Sequence, residues 1–283
     1  MADSASGRLY VVATPIGNLG DLSPRARETL ASCGLIAAED TRHTGNLLKH
    51  FSIATPQLSL HDHNEALRAP EIIERLKNGL SVALVSDAGT PAISDPGFDL
   101  VREAAAQGIE VLSVPGPCAA VAALSVAALP TDRFCFEGFL PARGAARRQR
   151  LEALDHEMRT LVFYESPHRI EETLTDCLQA FGASRRAVVA REITKLHESL
   201  YRGTLAELCE QARREPAFAR GEIVLIVSGA PPTSAGQGAL ELERVLLALL
   251  AELPLKQAAR LAAQITGARD NEAYKRALEL KGS

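Results

Sequence analysis

The sequence predicts an α/β protein made of two α/β domains, followed by a small helical region at its C-terminal end. Short apolar runs, typical of strands that are buried on both faces, alternate with helical segments through residues 1–131. A second alternating block follows, in which two neighbouring strands are too close in sequence for a crossover helix. The first sheet is therefore expected to be mostly parallel and the second to be mixed.

The first domain, residues 1–131, shows clear helix starts and stops between its apolar runs. Ser23 and Pro24 are residue types that favour the N-cap and the first helical position, and Gly79 and Gly108 are typical of helix ends. The predicted strands are 9–13, 35–38, 81–85 and 109–114, and the predicted helices are 24–32, 65–78, 100–106 and 118–128. This alternation predicts a doubly wound sheet that is covered by helices on both faces.

The second domain, residues 132–230, contains five strand candidates, at 133–136, 160–164, 187–191, 197–201 and 223–227. The segment 229–238, GAPPTSAGQG, has the composition of a linker. Residues 240–283 have a helical period throughout, with breaks at Pro254 and near Gly267.

The composition excludes several classes of protein. A formal net charge of −4 over 283 residues argues against a chain that binds nucleic acid through bulk positive charge. Five widely spaced cysteines without a CxxC pair suggest neither a disulfide framework nor a zinc site, so no metal is expected. The N-terminal residues lack an apolar leader, and no run approaches the ~20 apolar residues of a membrane span. We expect a cytoplasmic protein that makes no contact with membranes.

Three strands of the first domain end in turns that are rich in glycine and proline. These turns are TPIGNLGD (14–21), DAGTP (87–91) and PGP (115–117). Ligands of open α/β sheets bind at the carboxyl ends of strands, so the three turns predict a binding site. Neither GxGxxG nor GxxxxGK[ST] is present, and Asp21 and Asp87 would repel phosphate. An acidic group at a strand end suits ribose hydroxyls, which favours a neutral or cationic adenosine ligand such as S-adenosylmethionine.

Several longer motifs identify a family. They are ATPIGNLGDLSPRA (13–26), AAEDTRHTG (37–45), LHDHNE (60–65), VSDAGTPAISDPG (85–97), PGPCAA (115–120), DRFCFEGFLP (132–141), FYESPHR (163–169), AREITK (190–195) and GEIVLIV (221–227). With these motifs the chain resembles the tetrapyrrole-methylase-type (class III) methyltransferases. TPIGNLGD and SDAGTP replace the GAGPGD and GDP turns of porphyrin-precursor methylases, and this difference indicates the ribosomal RNA branch.

The resemblance implies a specific reaction. In that branch a methyl group passes from S-adenosylmethionine to the ribose 2′-oxygen of a cytidine in the decoding region of 16S rRNA. The enzyme acts on the assembled small ribosomal subunit and resembles other class III enzymes in being a homodimer. Two alternatives stay open at this stage: a C-methyltransferase of a tetrapyrrole precursor, and a non-enzymatic ribosome-assembly protein that binds RNA.

The cofactor is expected at the three strand-end turns and at one aromatic residue of the second domain. The predicted cofactor-binding residues are Pro15, Ile16, Gly17, Asn18, Asp87, Ala88, Gly89, Thr90, Pro115, Gly116, Pro117 and Tyr164. The Asp95-Pro96-Gly97 turn is interpreted as more structural than chemical, because it precedes a helix and would fix where that helix begins.

Candidate catalytic groups follow three strands. Lys195 or Arg42 would polarise the ribose oxygen, and Glu165 or Glu192 would accept its proton. The alternative for each is an ion-paired loop residue, and for Lys195 it is a salt bridge to Glu192 or Glu198.

Candidate RNA contacts are basic. The segment PARGAARRQR, residues 141–150, has four arginines and no acid, which predicts a mobile phosphate clamp or, alternatively, a solvated face. The C-terminal helices have helix–turn–helix proportions with several cations. The predicted RNA-binding residues are Arg143, Arg147, Arg148, Arg150, His168, Arg169, Lys256 and Lys275.

Overall fold

The computed structural model describes residues 6–215, 218, 220–231 and 235–282. Its first sheet has five strands: β1 (Leu9–Val12), β2 (Leu35–Ala38), β3 (Gln57–Ser59), β4 (Val82–Val85) and β5 (Val111–Val114). All neighbouring strands are parallel, and their order is β3-β2-β4-β1-β5. The predicted parallel sheet is confirmed, and because β2, β4 and β1 are parallel neighbours, their carboxyl ends lie side by side.

Helices cover both faces of this sheet, as the alternating pattern predicts. They are α1 (Pro24–Ser32), α2 (Thr41–His50), α3 (Glu65–Lys77) and α4 (Phe98–Ala106). Apolar residues of α3 and α4 pack on one face, and those of α1 and α2 pack on the other. The Ser23 hydroxyl accepts the Ala26 N–H, so the predicted N-cap of α1 is confirmed.

One helix and one strand of the first α/β domain were not predicted. Helix α2, TRHTGNLLKH, has few apolar residues and begins at an Asp40 N-cap, and β3 is only three residues long. Short or polar elements such as these have a weak periodic signal, which explains why the sequence pattern missed them.

The second sheet contains β6 (Phe134–Phe139), β7 (Thr160–Glu165), β8 (Arg186–Arg191), β9 (Ser199–Thr204) and β10 (Ile223–Val227). Its order is β6-β7-β10-β8-β9. Only the β6–β7 pair is parallel, and the pairs β7–β10, β10–β8 and β8–β9 are antiparallel. The prediction of a mixed sheet is therefore confirmed.

Four helices cover the second sheet. They are α5 (Ala119–Val126) on one face and α6 (Gly144–Glu152), α7 (Ile170–Phe181) and α8 (Leu205–Arg214) on the other. Helix α5 follows the first sheet in sequence but packs on the second, where Ala123 and Leu124 belong to a cluster with Ile226. Both sheets lie in one compact unit, Met1–Ser228.

The remaining unit, Gly229–Ser283, is helical and has its own small core. It consists of α9 (Ala235–Leu250), α10 (Leu255–Thr266) and α11 (Asp270–Gly282), packed around Leu246 and several alanines. The predicted breaks at Pro254 and Gly267 are confirmed. The predicted linker 229–238 is wrong for its last four positions, because α9 already begins at Ala235, and residues 232–234 lie outside the described part.

Membrane-spanning helices, metal-ligand clusters and disulfide bonds are absent from the described residues. No helix there is long and apolar enough to cross a membrane. Within the same ranges, no cluster of His, Cys, Asp or Glu has the arrangement needed to hold a metal ion. All five cysteines are free thiols.

Candidate active site

A cavity of about 410 Å³ lies between the strand ends of the first sheet and the second sheet. This volume is within the range of about 300–1,000 Å³ that is usual for small-molecule sites. Ile16, Glu39 and Asp87 reach it from the ends of β1, β2 and β4, and Tyr164 and Val224 form its wall on the second sheet. The cavity is therefore at the sheet edge where the turn motifs predicted a ligand.

Backbone and side-chain hydrogen bonds join the three predicted turns to one another. The Thr14 N–H donates to Gly89 O at 2.8 Å, and the Gly89 N–H donates to Thr14 O at 3.1 Å. The Thr90 hydroxyl donates to Pro117 O at 3.1 Å, which connects the third turn. Gly89 has a φ of 88°, a conformation that glycine adopts without strain. The turns thus form one continuous wall.

Two carboxylates connect the ends of β2 and β4. Asp87 Oδ1 accepts the Asp40 N–H at 3.0 Å, and Glu39 Oε2 accepts the Asp87 N–H at 3.2 Å. Both side chains also line the cavity. Burial raises the pKa of Glu39, and the neighbouring Asp87 carboxylate adds to this effect. Glu39 was not predicted as a site residue, although it stands in the AAEDTRHTG motif.

Asp95 also lines the cavity, which argues against the interpretation of its turn as more structural than chemical. Burial is the main cause that raises the pKa of Asp95 to about 6, and the carboxylates of Glu39, Asp87 and Asp62 raise it further. A hydrogen bond with the Ser86 hydroxyl acts in the opposite direction. The turn also has its expected role, because Gly97 is the N-cap of α4 and its N–H donates to Glu65.

Tyr164 lies in the cavity wall, where the sequence placed it. Its hydroxyl accepts the Ala120 N–H at 3.2 Å, in the first turn of α5. The rings of Phe136 and Phe139 contact it edge-on, with centroids 4.9 and 5.6 Å from its own. Burial raises the pKa of Tyr164, so its hydroxyl stays protonated at neutral pH.

Glu165 lies next to Tyr164 and is only 3% exposed. Its Oε1 accepts the Ser166 N–H at 2.7 Å, and its Oε2 accepts the Thr173 hydroxyl at 2.6 Å. Arg169 Nε is 3.4 Å from the same carboxylate. Because both oxygens already have partners, this carboxylate is suited to holding the wall in place, which argues against the predicted role as proton acceptor.

Lys195 forms a salt bridge with Glu192, which is one of the two salt bridges expected if Lys195 has no catalytic role. Lys195 Nζ is 3.0 Å from Glu192 Oε1 and 3.1 Å from Glu222 Oε1. Although burial disfavours its charge, these two carboxylates raise the pKa of the Lys195 ammonium. Neither Lys195 nor Glu192 lines the cavity, whereas Glu222 does. A Cβ on Gly17 would collide with Lys195 Cγ, so Lys195 lies directly over the first turn.

Other predicted residues stand outside the cavity. The Arg42 side chain is 89% exposed and pairs with Asp40 at 2.7 Å, which argues against contact with a reacting oxygen. Asn18 caps a short 3₁₀ turn by accepting the Gly20 N–H. Of the predicted cofactor-binding residues, those that support the turns without lining the cavity are Pro15, Gly17, Asn18, Pro115, Gly116 and Pro117.

The arginine-rich segment is helix α6 and has acidic partners from other elements. Arg147 is 3% exposed, and its Nε lies 2.6 Å from Asp176 Oδ2 on α7. Arg150 Nε donates to Glu137 on β6 at 3.1 Å. These ion pairs argue against a mobile clamp in this segment, and the burial of Arg147 argues against its contact with RNA.

The other residues predicted to bind RNA differ in exposure and in their ion pairs. Arg143 and His168 are exposed, and Arg148 is 3.6 Å from Asp176. Arg169 donates to Leu140 O at 2.8 Å and to Pro141 O at 3.1 Å, so it anchors the loop before α6. Lys256 on α10 and Lys275 on α11 are exposed.

Comparisons with known proteins agree with the fold and the motifs. Residues 8–209 match the family model described as "Tetrapyrrole (Corrin/Porphyrin) Methylases". Residues 236–281 match a second model, "RsmI C-terminal HTH domain".

Curated relatives are similar over almost the whole chain. A protein of Pseudomonas aeruginosa named "Ribosomal RNA small subunit methyltransferase I" is 55% identical over 280 residues, which cover 98% of this chain and 99% of the relative. A protein of Escherichia coli O157:H7 with the same name is 51% identical and covers 99% and 98%.

Solved structures share the fold at low identity. The methyltransferase CobJ has a TM-score of 0.60 at 21% identity, over 80% of this chain and 95% of its own. A uroporphyrin-III C-methyl transferase from Thermus thermophilus, solved with S-adenosyl homocysteine, has a TM-score of 0.53 at 16% identity, over 78% and 97%.

Proposed function

This chain belongs to the tetrapyrrole (corrin/porphyrin) methylase family, and we propose that it uses S-adenosylmethionine to methylate ribosomal RNA, at the ribose 2′-oxygen of a cytidine in the decoding region of 16S rRNA. The cavity between the strand-end turns and the second sheet is the main structural support, since it is built from the predicted turns. The proposal includes action on the assembled small subunit, a homodimeric state and a cytoplasmic location.

The cavity fits the methyl donor chemically. S-adenosylmethionine supplies a methyl group on a sulfonium cation, and it also carries ribose hydroxyls and an adenine ring. Asp87 and Glu39 offer acceptors for hydroxyls, while Ile16, Ile193 and Val224 provide apolar surface. Walls of this kind exclude water and hold reactants in place, and well-oriented reactants gain up to roughly 7–11 kcal/mol.

A ribose hydroxyl must lose its proton when it is methylated, and Asp95 is the carboxyl that we assign to this step. Both oxygens of Glu165 have partners, whereas Asp87 and Glu39 each accept one backbone N–H and Asp95 shares one hydrogen bond with the Ser86 hydroxyl. Asp95 lies in the same cavity, and its pKa of about 6 is close to neutral pH, as an efficient general base requires.

Replacing Asp87 with alanine is expected to weaken the binding of S-adenosylmethionine by about tenfold or more. The loss of a hydrogen bond to a charged group costs about 1.5–3 kcal/mol. Titration calorimetry measures the affinity, and thermal unfolding checks the fold, because the variant also loses the bond to the Asp40 N–H. Asp21→Ala is the control, since Asp21 does not line the cavity. Unchanged affinity in a stable Asp87→Ala protein would remove Asp87 from the site.

Replacing Lys195 with methionine tests whether its charge contributes to catalysis. The methionine keeps most of the packing over Gly17 and removes the ammonium that sits between Glu192 and Glu222. A catalytic role predicts that single-turnover methyl transfer falls about tenfold or more, with little change in cofactor or subunit affinity, which is the sign of an interaction made in the transition state. A rate within about threefold of wild type, less than ~1 kcal/mol, would contradict a catalytic role.

The reaction itself is tested by mapping 2′-O-methyl groups along 16S rRNA at nucleotide resolution, in cells with and without this protein. We expect one cytidine of the decoding region to lose its 2′-O-methyl group and to regain it when the wild-type gene is restored. An unchanged 16S rRNA map, or loss of a methyl group from a base instead of a ribose, would refute the proposed position.

A further inference from the structure

The C-terminal helical unit has a groove of about 510 Å³ between α10 and α11. Lys256, Gln257 and Arg260 line it from α10. Asp270, Asn271 and Tyr274 line it from the first turns of α11. Ala259, one of the alanines through which the two helices pack, also lines the groove. The small side chain leaves room for a ligand between the longer ones.

The two cations of this groove are not neutralised by neighbouring acids. Lys256 and Arg260 are exposed, and neither has a carboxylate within ion-pair distance in the described ranges. Arg276 in the same unit is different, since it pairs with both Glu243 and Glu279. The only acid in the groove is Asp270, which forms no salt bridge with either cation within the part of the chain described here. The groove therefore presents free positive charge.

An aromatic ring stands beside these cations. Tyr274 is 43% exposed although it lies on a helix whose alanines face a core. Gln257 and Asn271 bring amide groups that both donate and accept hydrogen bonds. Exposed aromatic rings stack on unpaired bases, amides bind base edges, and lysine and arginine bind phosphates. Only Pro254 and Ala259 among the lining residues are aliphatic, and the other lining side chains carry a charged, amide or phenol group.

We propose that this groove binds an unpaired nucleotide of an RNA strand, with its base on Tyr274 and the flanking phosphates at Lys256 and Arg260. The inference rests on the proposed function, because it assumes an RNA substrate, and it assigns the helical unit to holding that substrate outside the catalytic cavity. It also gives different roles to two lysines that were both predicted to bind RNA, because Lys256 lines the groove and Lys275 does not.

The test measures how the full-length chain binds a fluorescently labelled single-stranded RNA of ~12 nucleotides, a length in the usual range of single-strand sites. Tyr274→Ala is expected to weaken this binding about 5- to 150-fold, the usual range for the loss of one stacked base. Tyr274→Phe keeps the ring and should bind like wild type. The same RNA within a duplex should bind weakly to all three proteins, since its bases cannot stack on the ring.

The charges are tested by the salt dependence of the same binding. Lys256→Ala combined with Arg260→Ala should reduce the slope of log affinity against log salt by about 0.7 for each lost phosphate contact. Lys281→Ala is the matched control, because Lys281 is exposed on α11 but lies outside the groove. Circular dichroism confirms that the variants keep their helices, and calorimetry confirms that they still bind S-adenosylmethionine.

Each result has a defined meaning. Wild-type affinity and salt slope in the folded groove variants would overturn the proposal. Normal binding of the RNA strand together with weaker binding of intact small subunits would also overturn it, and would indicate a ribosomal protein as the partner. Methylation of small subunits by the wild-type chain is measured in parallel: if it occurs while the groove variants bind RNA normally, this inference fails and the proposed function stands.

Discussion

Asp95→Asn is expected to slow methyl transfer by about 10²–10⁴-fold, the usual contribution of a general base. Asparagine has nearly the same shape as aspartate and can still form a hydrogen bond with Ser86, but it cannot accept a proton at neutral pH. The binding of S-adenosylmethionine should change much less than the rate. Single-turnover assays with small subunits measure the rate, and calorimetry measures the affinity for the cofactor.

The pH dependence gives an independent test of the same group. Burial and the neighbouring carboxylates raise the pKa of Asp95 to about 6, and only the deprotonated form can accept a proton. The wild-type rate should therefore rise as pH increases through about 6 and become level above it. In Asp95→Asn this rise should disappear.

Glu39→Gln is the matched control, because burial also raises the pKa of Glu39, but its carboxylate already accepts the Asp87 N–H. We expect this variant to keep a rise in rate with pH, but at a pH below that of wild type, because the Glu39 carboxylate is one of the groups that raise the pKa of Asp95. If the rise is lost in Glu39→Gln and kept in Asp95→Asn, then Glu39 is the base and our assignment is wrong.

Arg147→Ala is expected to destabilise the protein by about 3–5 kcal/mol, because it leaves a buried charge without its main partner. Arg147 lies 2.6 Å from Asp176 and 3.1 Å from Glu172, and the Asp176 side chain is itself buried. Arg148, at 3.6 Å, compensates only in part. Urea denaturation followed by circular dichroism measures the free energy of unfolding.

Arg143→Ala is the control for this prediction, since Arg143 is exposed at the start of the same helix. Its effect on stability should stay within about 0.5 kcal/mol. The double variant Arg147→Ala with Asp176→Ala should recover part of the lost stability, because both charges are then removed. A stable Arg147→Ala protein with weaker RNA binding would instead support the RNA contact that the arginine-rich run predicts.

The candidate site could be predicted in part, through its turns. Ile16, Asp87 and Thr90 line the cavity because they stand directly after parallel strands, whose carboxyl ends meet at one edge of the sheet. The turn at Asp95 was interpreted as more structural than chemical, because a turn before a helix explains it locally. Asp95 reaches the cavity because of the path that the chain takes between β4 and α4. The pattern of apolar residues in the sequence does not show this path.

Some features of this chain follow from residues that are adjacent in sequence. Ser23 and Pro24 start α1, Ile223–Val227 is a strand because its side chains are apolar and mostly β-branched, and Pro254 and Gly267 interrupt the last helices. Such signals are local, since a cap or a turn is satisfied within a few residues. They are therefore readable without the tertiary structure.

The roles of the charged side chains depended on the tertiary structure. Arg150 and Glu137 are 13 positions apart, and Arg147 and Asp176 are 29 positions apart, yet each pair is in direct contact. The run at 141–150 contains no acid, and the acidic partners of Arg147 and Arg150 come from α7 and β6, against which α6 packs. Lys195 is similar, because Glu222 approaches it from the loop before β10. Ion pairs act over a few ångströms in space and not along the sequence, so packing decides which cations are neutralised and which stay available to a ligand.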